Sequence, residues 1–455
     1  MEIFMTADQP YPLQKQNPLL YWTTLIFLVG VPNFIHFDVT GRTHEQGLLN
    51  PTSLSAMAVN FLSTYILIVV VILSRRPLFC RKVNIAGWLW IVLLLQMMLS
   101  TALAPASRLT PPTFSDNLIP LYRMYEWILA FALVLALYTR TPEDRGTELI
   151  VELIGRMSWI WIAITYIVLP IMPSQVYGGA GEGEMTSVHA QLGGQLLSPS
   201  YLSTLSVAAF FYALFFFPRG LARFCGCVVA FGTLVLAHTR IEQGSFLILI
   251  FLYAVFFSGL FFLRIATIVS TAVLAALGIL FRSAILEYIA RGQNANSLAT
   301  LNDRTRVWAA AIEAIRARPI LGYGYVVGAK NALKDHWIYA HWIPPHAHNE
   351  LIHAFLSGGI LAALLALCIY ARALWAGFRT AHRGLQQIFL LFIVILSTVR
   401  SLGGPNLTYI FTRPGAVFLL AFIGLVGGAA SHSSRSKLRK VSQSSIPSIP
   451  QEVGA

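Results

Sequence analysis

Three of the chain's eleven histidines fall within one stretch of twelve residues, "PPHAHNELIHAF", numbered 344–355. His346, His348 and His353 stand directly before or at the start of an apolar run. A neutral imidazole can take a proton from an attacking hydroxyl or can bind a metal ion. The prolines disfavour helix and Asn349 is a preferred N-cap, so a turn before a helix is the simplest reading. That reading leaves His346 and His348 unexplained.

Arginines upstream of the histidines are candidates for an anion site. The stretch "LNDRTRVWAAAIEAIRARP" has apolar residues at helical spacing, a capping residue at Asn302 or Asp303, and a stop at Pro319. Arg304 and Arg306 then fall in the first turn, where the helix dipole disfavours each cation by about 0.3–1 kcal/mol. A bound anion would make the arginines favourable at this position, because free N–H groups and guanidinium forks both favour phosphate. Neutralisation of one arginine by Asp303 explains the pattern equally well.

A second outside arginine, Arg240, lies in "LAHTRIEQGSFL", which the sequence places in a short loop between two apolar runs. It either snorkels or pairs with Glu242, or it joins Arg304 in holding a lipid-linked phosphate. Arg123 and Arg156 lie within apolar runs, where a charge is costly. Each of these two is expected to snorkel, to line a cavity or to pair with a nearby glutamate.

The elements that carry these residues are membrane helices. Of the 455 residues, 56% are hydrophobic and only 11% are charged, against about 25% charged in an ordinary soluble domain. Apolar runs have the length of about 20 residues that a helix needs to cross a bilayer. We therefore predict an all-α, polytopic integral membrane protein whose membrane domain covers 19–430. About twelve spans are predicted, near 19–36, 54–74, 84–104, 118–138, 149–172, 201–217, 222–237, 245–263, 265–282, 351–371, 385–402 and 414–430.

The distribution of lysine and arginine predicts the orientation. Short loops on one side carry most of the cations, and those on the other side carry few, which places both termini in the cytoplasm. Residues 1–18 form a cytoplasmic tail before an uncleaved anchor, and the Ser-rich, basic residues 431–455 form a disordered one. The long connection 283–350 then lies outside as a large helical loop over an outward-facing cavity. The net charge of +13 reflects this topology, and no nucleic-acid partner is expected.

Two catalytic interpretations of the histidines remain open at this point. His336, His341, His346, His348 and His353 cluster within eighteen residues, but without a metal-site spacing such as HExxH. The alternative is general-base catalysis, in which arginines stabilise a diphosphate leaving group while a histidine deprotonates an alcohol. Transfer from a lipid diphosphate to an alcohol is the reaction that this combination suggests.

Five short stretches of the chain resemble, in the family's order, the superfamily of O-antigen ligases and of O-antigen and exopolysaccharide polymerases. They are "GGQLLSPSYLS" (193–203), "HTRIEQGS" (238–245), "DRTRVW" (303–308), "RPILGYGY" (318–325) and "HAHNELIHAFLSGGILA" (346–362). The motifs cover about 190–370, and the ligase- or polymerase-like part extends to about 405. Two positions depart from the family: Ser200 stands where asparagine is frequent, and Thr239 where serine often precedes the arginine.

The resemblance implies a role for each matching residue. His348 would be the catalytic base, and Arg240 and Arg304 would bind the donor diphosphate. The supporting positions would be Asn349, Trp308, Pro319, Gly322 and Gly324. His346 and His353 match no family element, so we expect their substitution to matter far less.

The resemblance also implies the reaction. It is an inverting transfer, independent of metal and cofactor, of a glycan from undecaprenyl diphosphate to a sugar hydroxyl at the outer face of the bacterial inner membrane. The acceptor is lipid A-core for a ligase and another lipid-linked glycan for a polymerase. "RPILGYGY" with "HAHN" looks closest to the exopolysaccharide polymerase branch. A lipid-linked glycan flippase or transporter is the alternative, since it would share the cavity and the arginines but would need no histidine base.

Overall fold

The computed structural model describes residues 18–29, 51–74, 85–105, 114–142, 145–178, 191–194, 196–281, 304–338, 344, 346–408 and 414–427. The tails predicted at 1–18 and 431–455, the predicted caps Asn302 and Asp303, and His341 lie outside the described residues, apart from Pro18. So does much of the predicted outer loop.

The described residues are predominantly helical. In chain order the helices are α1 (Pro18–Val29), α2 (Pro51–Ser74), α3 (Ile85–Ala102), α4 (Phe114–Arg140), α5 (Gly146–Val168), α6 (Pro173–Val176), α7 (Pro199–Phe216), α8 (Leu221–Leu236), α9 (Arg240–Leu252), α10 (Phe261–Leu280), α11 (Arg304–Ala317), α12 (Val327–Asp335), α13 (Glu350–Thr380), α14 (Leu385–Ser401) and α15 (Pro414–Gly427). A minimal antiparallel pair, β1 (Tyr177–Gly178) and β2 (Gln191–Leu192), stands between α6 and α7.

Six helical stretches of the described chain are long and apolar enough to cross a membrane. They are Leu118–Arg140, Gly146–Val168, Pro199–Phe216, Arg240–Phe257, Phe261–Leu280 and Glu350–Arg383. Shorter apolar helices occupy other predicted spans, so the all-α membrane class is supported while the count of about twelve crossings stays a prediction. One boundary was misplaced: Arg240 is the first residue of α9 and does not lie in a loop.

Helix packing joins the N-terminal and C-terminal halves of the chain. Helix α13 packs against α3 and α14, α14 packs against α9, and α7 packs against α5 and α8. Aromatic side chains fill the interior, and those of Trp90, Trp127, Phe389, Phe392 and Phe418 are almost fully buried.

Two charges within the spans are neutralised locally, because Arg123 pairs with Glu126 and Arg156 with Glu152, each at 2.6 Å. Of the three alternatives left open for these arginines, the structure shows pairing with a nearby glutamate.

Helix α13 is broken at Gly359, whose backbone angles (φ 73°, ψ −169°) are not helical. The segment after α11 supplies partners for the backbone groups freed by the break. Ile360 donates its N–H to the carbonyl of Pro319 at 2.9 Å, and Gly324 donates to the carbonyl of Ser357 at 2.9 Å. Irregular backbone is tolerated at membrane depth when protein groups satisfy it in this way.

The two backbones approach so closely that glycine is needed at the break. A methyl group on Gly359 would lie 1.8 Å from the carbonyl oxygen of Ile320. On the docking segment, Gly322 and Gly324 both have positive φ, a conformation that glycine adopts readily in tight turns. The family-like Pro-x-x-Gly-x-Gly stretch therefore fastens α11 and α12 to α13.

Candidate active site

The histidine-rich turn lies at the N-terminus of α13. The side-chain oxygen of Asn349 accepts hydrogen bonds from the N–H groups of Leu351 at 3.0 Å and Ile352 at 3.1 Å. Asn349 is thus the N-cap that its residue type predicted. His348 immediately precedes this cap and is partly exposed.

The backbone of His348 is left-handed, with φ of 50°. For a residue with a Cβ this conformation costs roughly 1–2 kcal/mol, and such strain persists only where neighbours enforce it. Two side chains hold the turn. Trp308 on α11 donates its indole N–H to the carbonyl of Ala347 at 3.0 Å, and Nδ1 of His346 accepts the backbone N–H of His348 at 3.2 Å.

The surroundings of the two histidines keep them neutral. The pKa of His346 is lowered from 6.5 to about 4. The main cause is desolvation by burial, and the positive charges of Arg400 and Arg304 add to it. The pKa of His348 is lowered well below 6.5. The main cause is desolvation by burial, and positive charge on His346, Arg304 or His353 lowers it further. At neutral pH His348 is therefore an unprotonated imidazole in an electropositive environment, the state that proton abstraction requires.

A segment after α14 completes this environment. The backbone of Gly403 accepts a hydrogen bond from the His348 ring, which partly opposes the fall in that ring's pKa. A methyl group on Gly403 would lie 2.0 Å from Cδ1 of Ile241 and 3.1 Å from Nη1 of Arg304. The glycine thus lets three parts of the chain meet, namely the start of α9, the start of α11 and the His348 turn.

The Gly403 segment is anchored by a buried carboxylate at the first position of α13. Glu350 is 1% exposed. One carboxylate oxygen accepts the N–H groups of Asn406 and Leu407, the latter at 2.8 Å. The other accepts the N–H of Thr408 at 3.0 Å and its hydroxyl at 2.7 Å. Four donors converge on one carboxylate, so residues 406–408 are tied to the base of the His348 turn.

A second buried charge ties the same segment to α7 and α9. The guanidinium of Arg400, at the end of α14, lies 3.4 Å from the carboxylate of Glu242 and also hydrogen-bonds the side chain of Asn406. Ser200 donates its hydroxyl to Glu242 at 2.5 Å. The serine that replaces the family's frequent asparagine therefore still bonds within the site's supporting network.

The residues selected from the sequence separate into two groups. His348, Arg304 and Trp308 converge at one place, and Arg240 begins α9 next to Ile241, which reaches Gly403. Pro319, Gly322 and Gly324 instead dock at the break in α13, nine residues and about 14 Å of helix beyond Glu350.

His353 is fully buried on α13, 3.4 Å from the hydroxyl of Ser357, with its ring 6.4 Å from that of His346. Among the described residues no group of three or more His, Cys, Asp or Glu side chains is arranged to hold a metal ion.

Sequence reasoning missed the contribution of Glu350, Arg400 and Gly403. One available signal was an arginine at the C-terminal end of an apolar run, followed by two glycines and a proline in "VRSLGGPN". Another was the acidic residue directly after the His-Asn pair. Neither signal shows which segment Glu350 would bind, because its partners lie more than fifty residues away.

Comparison with known proteins gives a family match for the central part of the chain. Residues 225–367 match the family described as O-antigen ligase. The match includes Arg240, α11 and the His348 turn, and it ends before Arg400 and Gly403. No curated protein matches the chain. The resemblance is confirmed at the level of the family over the matched residues, which contain four of the five short stretches, and the first stretch, 193–203, precedes the match.

Proposed function

Because the chain carries an O-antigen ligase domain, we propose that it transfers a glycan from undecaprenyl diphosphate to a sugar hydroxyl on the outer face of the bacterial inner membrane. Polymerisation of lipid-linked glycan is the favoured form of this reaction, and ligation to lipid A-core is the other. The family match and the apolar helices support glycan transfer by a multi-pass membrane protein in general. The donor, the acceptor and the orientation belong to the proposal.

The observation that carries the mechanism is the placement of a neutral His348 beside Arg304. In the proposed step the acceptor hydroxyl attacks the anomeric carbon of the donor, and His348 takes the hydroxyl proton. The bond from that carbon to the diphosphate oxygen breaks, and Arg304 and Arg240 stabilise the departing anion. A single displacement of this kind inverts the anomeric configuration. Every group needed for the step is a side chain, so the proposal includes neither metal nor cofactor.

The direct test uses purified protein and a defined undecaprenyl-diphosphate glycan, with the product analysed by chain length. Lengthened lipid-linked glycan identifies a polymerase, and glycan attached to added lipid A-core identifies a ligase. We expect His348→Ala to lower turnover by about 10²–10⁴-fold while donor affinity stays nearly unchanged. His382→Ala is the matched control, because His382 is exposed just beyond the opposite end of α13. Full turnover by His348→Ala, or movement of lipid-linked glycan without transfer, would favour the transporter alternative.

The pH dependence provides a second test of the same base. Since the free enzyme depresses the pKa of His348, kcat/KM should stay level as pH falls through 6.5 and decline only below it. A bound diphosphate brings negative charge next to His348 and Arg304, so it raises the pKa of the ring. The acid limb of kcat should therefore lie at higher pH than that of kcat/KM. Two results together would exclude His348 as the base. The acid limb of kcat/KM would lie at or above pH 6.5, and it would persist in every His348 variant.

A further inference from the structure

The ring of His346 lies beside the ring of His348 in the turn before α13. The two ring centroids are 4.2 Å apart, with the planes inclined by 59°. Nδ1 of His346 accepts the backbone N–H of His348 at 3.2 Å. A side-chain acceptor bonded to the N–H two residues later is the arrangement of an Asx-turn, which local polar side chains use to fix irregular backbone.

This bond is made at the strained residue. Among non-glycine positions of the described chain, only His238, Val326 and His348 have positive φ. At His348 the bond from His346 meets the backbone N–H, and the bond from Trp308 meets the preceding carbonyl of Ala347. The peptide between Ala347 and His348 is thus held at both of its polar groups, and its orientation determines where the His348 ring points.

The bond also specifies the protonation state of His346. An acceptor nitrogen carries no proton, so His346 must be neutral with its proton on Nε2. Among the described residues, Arg304, Arg400, His348 and His353 face it. None of these four is an acid that would favour an imidazolium, so the acceptor stays available throughout the neutral range.

We propose that His346 is a positioning residue, which holds His348 in its left-handed conformation and so aims the catalytic ring at the acceptor hydroxyl. The inference rests on the proposed function of His348, and it revises the expectation that His346 matters little. It requires only the Nδ1 acceptor of His346 and no contact between His346 and the substrate.

Three substitutions at one position separate the acceptor from the rest of the ring. His346→Asn places its amide oxygen where Nδ1 stands and can form the same turn. His346→Gln carries its amide one bond further out, and His346→Ala has no acceptor. We expect His346→Asn to retain kcat within about threefold, and the other two to lose roughly 10- to 100-fold, the scale of a small misplacement of a catalytic group. KM for the donor should change little in all three variants.

The controls keep this proposal separate from the one on which it rests. All variants are purified, their thermal unfolding midpoints are compared, and His348→Ala is measured beside them. A fully active His348→Ala overturns the general-base proposal itself. If His348→Ala is impaired, equal kcat values for His346→Asn and His346→Gln at matched stability overturn the positioning role of His346. Wild-type kcat in His346→Ala does the same.

Discussion

Removal of the charge at Glu350 tests whether the segment after α14 belongs to the active site. The carboxylate accepts four hydrogen bonds, two on each oxygen, from Asn406, Leu407 and Thr408. Glu350→Gln keeps the shape but leaves one oxygen able to accept, while the new amide group presents N–H to two former donors. Each buried donor left without an acceptor costs about 1–3 kcal/mol. The substitution should therefore destabilise the folded protein by about 2–6 kcal/mol.

The same change should impair turnover, because Gly403 is held beside His348 and Arg304 by this anchor. A displacement of about 1 Å in such a contact can cost on the order of 100-fold in rate. We would measure the thermal unfolding midpoint in detergent and the turnover of lipid-linked donor for the same preparation. Thr408→Val is the matched control, since it removes one hydroxyl donor and retains the three backbone N–H groups, a loss of about 1 kcal/mol.

The result that would refute the reasoning is a Glu350→Gln protein whose midpoint and turnover equal those of Thr408→Val. That outcome would mean that residues 406–408 keep their place without the carboxylate. A lowered midpoint with unchanged turnover at a permissive temperature would show that the anchor stabilises the fold without shaping the site.

Two further predictions concern the donor clamp and the orientation. Arg304→Lys and Arg240→Lys keep the charge but lose the bidentate fork, so each should weaken donor binding or turnover by at least about tenfold in a defined-donor assay. Arg316→Lys, on the exposed side of α11, is the control, and normal kinetics in both test variants would exclude the clamp. In a background without native cysteines, an impermeant thiol reagent applied to intact cells with a permeabilised outer membrane should label Ile320→Cys and spare Lys440→Cys. The reverse labelling would place the candidate site in the cytoplasm.

The sequence alone determined the class of this protein, and it also selected the candidate site residues. Long apolar runs can satisfy their backbone in a membrane only as helices, and local signals such as Asn349 before α13 and Pro319 after α11 marked the helix ends correctly. The motif resemblance selected His348 and Arg304, which the fold brings to one place. Local chemistry and short motifs are readable from sequence because they depend on neighbouring residues.

Only the tertiary structure decided how these residues are held. The break at Gly359 is stabilised by backbone groups of the segment near Pro319, so the two glycine-containing stretches form one closely packed contact. The structural roles of Glu350 and Arg400 depend on partners in segments that are distant in the chain. The left-handed backbone of His348 likewise depends partly on Trp308 from another helix. A linear pattern cannot show such effects, because the energy of a buried charge or a strained peptide is set by whichever distant groups the fold brings within hydrogen-bonding distance.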